Sequence, residues 1–356
     1  MRLLVAISHH GLGHLAQAAP VLNALLVARP DMEFLIWSGV SRAALAARIQ
    51  APFRHRHEAA DVGLAMRDAV RVNVEASRAA YLDFHRDWEA RVVLEAGWLR
   101  EAGITGVLAD AACLPLAAAA CAGIPGVALC SLNWVDIAGA YLAEQDGMAR
   151  VLEQMAAAYR SARAFLRAMP AMPMPWLENR ETVPPIAALG MERGAELRTR
   201  LALPRDERLV LIGFGGIGYQ TARSLPALAG VRWLVPDDWR EKRMDMIPFA
   251  RAGLPFLDLL ASCDALVTKV GYGSFVEAAA AGVPVLYIDR PDWPEAPFLV
   301  EWLRQNAEAE SIAESDLFEP GIAAPLARLL TLAPRAGVAA PGAEQAARRI
   351  LELFAG

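Results

Sequence analysis

The stretch from Asp264 to Glu295, DALVTKVGYGSFVEAAAAGVPVLYIDRPDWPE, constrains the fold of this chain more than any other. Residues 265–267 form a short apolar run suited to a buried strand. A loop with Gly271 and Gly273 follows, and Ser274 is expected to open an Ala-rich helix that Gly282 closes. Residues 284–288 supply a second buried strand. Strand, loop, helix and strand make a βαβ unit whose strands run parallel, which commits the chain to a parallel sheet covered by helices. Glycines let backbone N–H groups approach a ligand, and a helix N-terminus offers unpaired donors and a positive dipole end, so a phosphate is expected there. The same residues admit a structural reading, because Ser274-x-x-Glu277 also fits a capping box. Arg290, Asp292 and Glu295 fall just past the second strand's carboxyl end, where open α/β sheets bind ligands.

The rest of the chain repeats this rhythm. Residues 3–7, 32–38, 53–60, 106–110 and 127–130 read as strands. Helices are expected over 15–28, 41–49, 67–101 and up to 122, with Trp88, Val92 and Leu99 as an apolar stripe. A proline-rich break, MPAMPMPW then VPPI, cannot hold a ladder or a helix and reads as a linker at 169–186. A second α/β series begins at residue 209 with LVLIGFGGIG and continues through a strand at 232–235 and a helix at 256–262. The expected domains are therefore 1–168 and 187–340, with a short amphipathic helix at 341–356.

Composition excludes several classes. At 356 residues, with 55% hydrophobic and 21% charged residues, the chain is globular and long enough for two domains. A net charge of −5 leaves no basic footprint for nucleic acid. Cys113, Cys121, Cys130 and Cys263 lie in apolar runs without C-x-x-C spacing, so they read as small core residues of a reduced, cytoplasmic protein. The Ala-rich run 104–130 is broken by Asp110, Pro115 and Pro125 and is not a membrane span. The only lysines are Lys242 and Lys269, and the second stands beside the glycine loop as a phosphate candidate or a solvated strand end. Oligomeric state is not legible.

A second chemical candidate is the loop after the first strand, SHHGLGH. Gly11 and Gly13 allow a tight turn at a strand's carboxyl end, but no third glycine or later acidic residue completes a dinucleotide fingerprint, so NAD is not expected. His14 can accept a proton near neutrality. Asp110, at another strand's carboxyl end in the same domain, is the carboxylate placed to orient it. His9 and His10 are expected to line the pocket. A metal on His9, His10 and His14 is rejected because the glycines break any regular spacing. Asn133, Trp134 and Asp136 follow the strand at 127–130, and core burial is the expected place of the indole.

The run KVGYGSFVE, then GVP, then RPDWPEAPFL resembles the C-terminal half of GT-B glycosyltransferases, and is most similar to the glycosyltransferase-like domain preceding the sugar kinase in L-arabinokinases. More distant likenesses are to the lipid I N-acetylglucosaminyltransferase and the UDP-glucuronosyltransferases. Gly13-His14 with Pro20 resembles the Gly-His and downstream proline of inverting members. The resemblance implies an α/β GT-B architecture, two Rossmann-like domains with parallel sheets facing a central cleft, and a final helix packed back on the N-terminal domain. It implies transfer from a nucleotide-diphosphate sugar, UDP-linked, to an acceptor hydroxyl, inverting and without a metal or other cofactor. His14 would be the base with Asp110 behind it. Gly11, Gly13, Gly215, Gly216, Gly271, Gly273 and Ser274 would meet the diphosphate, Glu277 the ribose and Glu295 the donor sugar, and Lys269 and Arg290, by their places beside the glycine loop and past the strand end, are expected at the same nucleotide-sugar site. No kinase activity follows from it. Two other readings stay open: a UDP-sugar epimerase or hydrolase on the same fold, and a non-catalytic nucleotide-sugar-binding protein.

Overall fold

Short buried strands alternating with helices leave one economical solution, the parallel sheet, and the chain builds it twice. The computed structural model describes residues 1–68, 70–204, 206–215, 224–332 and 336–355. Met1–Ile186 together with Pro341–Gly356 form one compact unit, and Ala187–Ala340 form the other.

The first unit runs β1 (Arg2–Ile7), α1 (Gly13–Ala28), β2 (Glu33–Trp37), α2 (Arg42–Ala46), β3 (Phe53–Arg56), α3 (Val74–Phe84), α4 (Trp88–Glu101), β4 (Gly106–Asp110), α5 (Leu114–Ala122), β5 (Gly126–Cys130), α6 (Trp134–Leu142), α7 (Met148–Ser161), β6 (Ala164–Ala168) and β7 (Arg180–Val183). Its strands lie in the order β3-β2-β1-β4-β5-β6-β7, with every neighbouring pair parallel. All of β4 and β5 is buried, as strands are when both faces of a parallel sheet are covered. The order reverses between β1 and β4, and Ile7 pairs with Asp110 at the carboxyl ends of those two strands. That reversal is the place where a doubly wound sheet opens a crevice for ligands.

The second unit runs α8 (Gly194–Leu201), β8 (Arg208–Gly213), β9 (Val231–Val235), β10 (Met246–Pro248), α9 (Phe249–Ala252), α10 (Phe256–Ser262), β11 (Ala265–Lys269), α11 (Tyr272–Ala281), β12 (Val285–Ile288), α12 (Ala296–Asn306), β13 (Ala309–Ile312) and α13 (Ala323–Thr331). Its sheet, β10-β9-β8-β11-β12-β13, is also parallel and reverses between β8 and β11, where Thr268 pairs with Gly213. The Thr268 hydroxyl donates to the Gly213 carbonyl at 2.5 Å and fixes these strand ends together. The chain then returns to the first unit as α14 (Gly342–Ala355), which packs on α1, β6 and β7. Ala346, Ala347 and Ile350 are its buried face, and Arg349 forks onto Glu181 of β7 at 2.7 and 2.8 Å.

Several expectations need correction. The stretch read as a linker is part of the first unit: its prolines stand on either side of Arg180–Val183, at Pro170–Pro175 and at Pro184 and Pro185, and the four residues between them add β7 beside β6. The stretch 67–101 is two helices, beginning only where the Asn73 side chain accepts from Ala76 N–H at 3.2 Å. β3 stops at Arg56. Its weak pattern follows from its edge position, where Arg56 stacks on Trp37 (4.0 Å) and Trp98 (4.6 Å) while bonding Glu95. Cys121 is exposed rather than in the core.

Candidate functional site

The carboxyl ends of β1 and β4 bring the two expected catalytic residues into contact. Gly11, with φ of 83°, turns the chain after β1 so that α1 starts at Gly13 and carries His14 in its first turn. His14 Nδ1 lies 2.6 Å from Asp110 Oδ1, with His14 only 4% and Asp110 0% exposed. The main chain closes the same corner, since Ser8 N–H donates to the Asp110 carbonyl at 3.3 Å. Burial pushes the Asp110 carboxyl up, and the charge of His14 and its hydrogen bond oppose the rise. The pair is thus an imidazole held through Nδ1 by a carboxylate out of water.

Cys130 Sγ stands 3.7 Å from the same Nδ1, so His14, Asp110 and Cys130 gather three donor atoms within 4.8 Å. Ligands on one tetrahedral ion at bonds of about 2.0–2.1 Å sit about 3.3 Å apart, so the shorter His14–Asp110 contact is a hydrogen-bonded dyad and not a preformed metal site.

Sequence reasoning expected the buried Trp134 and missed Gln17, Ser131 and Asp61. Gln17, one turn into α1, exchanges two hydrogen bonds with Ser131 (3.1 and 2.9 Å) and ties α1 to the end of β5. Trp134 is 1% exposed, with its ring 5.2 Å from His10 and 5.8 Å from His14, and its Nε1–H donates to Asp61 at 2.7 Å. Asp61 itself stands 3.4 Å from His9 Nδ1. It lies in a loop without hydrophobic period, and nothing in the sequence sets it apart from any other loop carboxylate. Asn133 and Asp136 serve the local frame: Asn133 caps α6 by accepting from Asp136 N–H at 2.9 Å, and Asp136 accepts from Trp176 Nε1–H at 2.7 Å.

The second unit's strand ends carry the other group. Gly215, with φ of 73°, follows β8, and a Cβ there would meet nothing within 4 Å. Gly216 lies outside the described residues. Gly271 is the N-cap of α11 in an extended conformation, so the helix begins at Tyr272 and Ser274 sits inside its first turn. Ser274 therefore neither opens nor caps this helix, and the capping box is not formed. The extended Gly271 starts the helix two residues early, leaving the N–H groups of Gly273 and Ser274 without intrahelical acceptors. Glu277 follows one turn on, 2% exposed. Lys269 ends β11, half-buried, and its amine is pushed down to about 7 by burial first and by the Arg290 charge second, with Glu295 opposing. Arg290 lies over the Trp293 ring at 4.5 Å, and the Trp293 Nε1–H donates to Glu295 at 3.2 Å. Arg290, Trp293 and Glu295 are all buried.

No protein-family model matches the chain. L-arabinokinase of Arabidopsis thaliana is 27% identical over 304 residues, covering 82% of this chain and 28% of that protein, so the chain spans little more than a quarter of its length. Among solved structures, UGT71G1 of Medicago truncatula complexed with UDP-glucose matches with a TM-score of 0.60 and 12% identity, over 99% of this chain and 98% of that one. The spinosyn forosaminyltransferase SpnP matches at 0.59 and 16%, over 99% and 95%. UGT89C1 of Arabidopsis thaliana complexed with UDP matches at 0.57 and 16%, over 99% of both chains. Matches over the whole chain at such low identity speak for architecture: two α/β units, each a parallel sheet, in the order that these transferases share.

Proposed function

From a chain with the GT-B fold, we propose a glycosyltransferase that moves a sugar from a UDP-linked donor to an acceptor hydroxyl with inversion. The observation that carries this reading is the buried His14–Asp110 contact at 2.6 Å, set where the first sheet reverses its strand order. Asp110 accepts the Nδ1–H and keeps the tautomer in which Nε2 is basic. Nε2 takes the acceptor's proton as its oxygen attacks the anomeric carbon, the bond to the diphosphate breaks, and Asp110 stabilises the resulting imidazolium. In the second unit the N–H groups of Gly273 and Ser274 at the start of α11, with the turn at Gly215, take the charge of the departing diphosphate, with no metal ion called upon. Lys269 helps to neutralise that charge, Glu277 takes the ribose hydroxyls, and Arg290 and Glu295 meet the donor sugar.

Thermal melts with UDP, dTDP, GDP, ADP and NAD test the donor side. A ligand at a hundred times its Kd adds about 2.7 kcal/mol, and the response is expected from UDP and lost in Glu277→Ala. A shift with NAD and none with any diphosphate overturns the reading. On the catalytic side His14→Ala is expected to lower turnover about 10²–10⁴-fold while UDP binding stays. Equal turnover in the variant would remove His14 as the base.

A further inference from the structure

Beside the His14–Asp110 pair stands a second imidazole–carboxylate pair, with the opposite exposure. The His9 side chain is 38% exposed and that of Asp61 only 2%. His9 follows β1, Gly39 follows β2, Asp61 follows β3 and Trp134 follows β5, so four strand ends build the place. Gly39 lies flush on His9, and a Cβ at that position would stand 3.2 Å from His9 Cβ and 3.3 Å from Cγ. On the other side Asp61 Oδ1 faces His9 Nδ1 at 3.4 Å, and Asp61 Oδ2 accepts the Trp134 indole N–H at 2.7 Å.

We propose that His9, held by the buried carboxylate of Asp61, is a second functional imidazole of the acceptor site and binds an anionic group, carboxylate or phosphate, that the acceptor carries near its reacting hydroxyl. The proposal rests on the reading of His14 as the base. A carboxylate as buried as Asp61 needs a compensating charge, and two neutral donors, the Trp134 indole N–H and the Ser8 hydroxyl, do not supply it. Burial alone would raise Asp61, but the pairing with His9 and its charge, with the Ser8 hydroxyl, prevail and hold it below its ordinary range, while Asp61 holds His9 above its own. With Nδ1 turned to Asp61, the ring's Nε2–H points away from the buried side, and among the described residues it meets no partner. The outward face of the pair is therefore a charged hydrogen-bond donor.

Its neighbour makes that charge consequential. Trp134 ties the two pairs together, donating to Asp61 while its ring lies 5.8 Å from His14, and the charge of His14 bears on both His9 and Asp61. A cationic His9 opposes the imidazolium that His14 must become during transfer. An acceptor anion seated on His9 removes that opposition, so it assists the chemical step as well as binding. A neutral acceptor gains neither.

The test uses the full chain labelled with ¹³C at histidine Cε1, and three probes: 4-hydroxybenzoate, 4-hydroxyphenyl phosphate and the uncharged 4-hydroxybenzamide. At least one anion is expected to shift the His9 signal saturably and to bind at least about tenfold more tightly than the amide. The preference should vanish in His9→Gln and return in His9→Arg, which restores the charge. The anion that shows it identifies the group. Thermal melts certify folding of each variant, and a simple surface ion pair would alter the melt without altering the preference. An equal preference in wild type and His9→Gln, or no saturable response to either anion, overturns the proposal. UDP titrated into the same samples separates the two readings. A UDP response without anion preference sinks only the role of His9, and anion preference without any nucleotide response sinks the transferase.

Discussion

At the scale of the residue, the molecule depends on a few buried charges whose partners can be removed one at a time. Asp110→Asn keeps the shape beside His14 but removes the carboxylate that sets its tautomer. Turnover is expected to fall about 10³–10⁴-fold with UDP affinity within about twofold, measured as kcat beside a titration with UDP. A comparable loss of UDP affinity would instead make the pair part of the donor site. Lys269 gives a prediction with a sign. Its amine is pushed down to about 7 by burial and then by Arg290, so at pH 8 it is mostly neutral in the free protein. A diphosphate beside it favours the charged form, so UDP binding at that pH should take up a proton and weaken as pH rises further. Calorimetry in two buffers of different ionisation enthalpy reads the uptake, which Lys269→Met should abolish. Identical heats in both buffers would place Lys269 away from the phosphate. The His14–Asp110 contact was legible because Asp110 closes a hydrophobic strand and His14 opens the helix that follows the neighbouring one, at positions topology brings together. Burial of the Trp134 indole was legible too, but its bond to Asp61 was not, because a contact between a loop and a helix start leaves no period in either.

At the scale of the element, strands were easier to read than helices, for a physical reason. β4, β5, β8 and β11 are buried along nearly their whole length, so their sequences are unbroken apolar runs between turn residues. The helices at 74–101 have no such mark: α4 exposes Val93 and Leu94 and buries Glu95, so its pattern hides both its face and the break before it. Three variants test how elements are held. Ala202 closes α8 in the left-handed region with φ of 53°, where a Cβ is penalised, so Ala202→Gly should stabilise the second unit by about 0.5–1 kcal/mol in a urea melt. On α14, Ile350 is fully buried, and Ile350→Ala should cost the first unit about 2–5 kcal/mol. The Arg349–Glu181 fork is more than a third exposed on both partners, and Arg349→Ala should cost about 1 kcal/mol or less in the same melt. A reversed order would mean that the fork, and not the apolar face, fastens the helix.

At the scale of the whole molecule, the two units are the same construction with different equipment: a histidine–carboxylate pair at one sheet's reversal, glycine turns and a helix start at the other's. Their repetition was visible in the βα rhythm. The extent of the first unit was not, because prolines signal where a helix or ladder must stop and say nothing of a strand that forms between them. The chain leaves the first unit at Ile186 and returns at Pro341, and these two residues bridge one another. During synthesis this inverts the usual order of completion. The ribosome must deliver all of the second unit before it delivers α14, so the unit begun first is finished last. Until then α1, β6 and β7 present the apolar surface that Ala346, Ala347 and Ile350 will cover, and for that interval the nascent chain offers chaperones a defined place to bind.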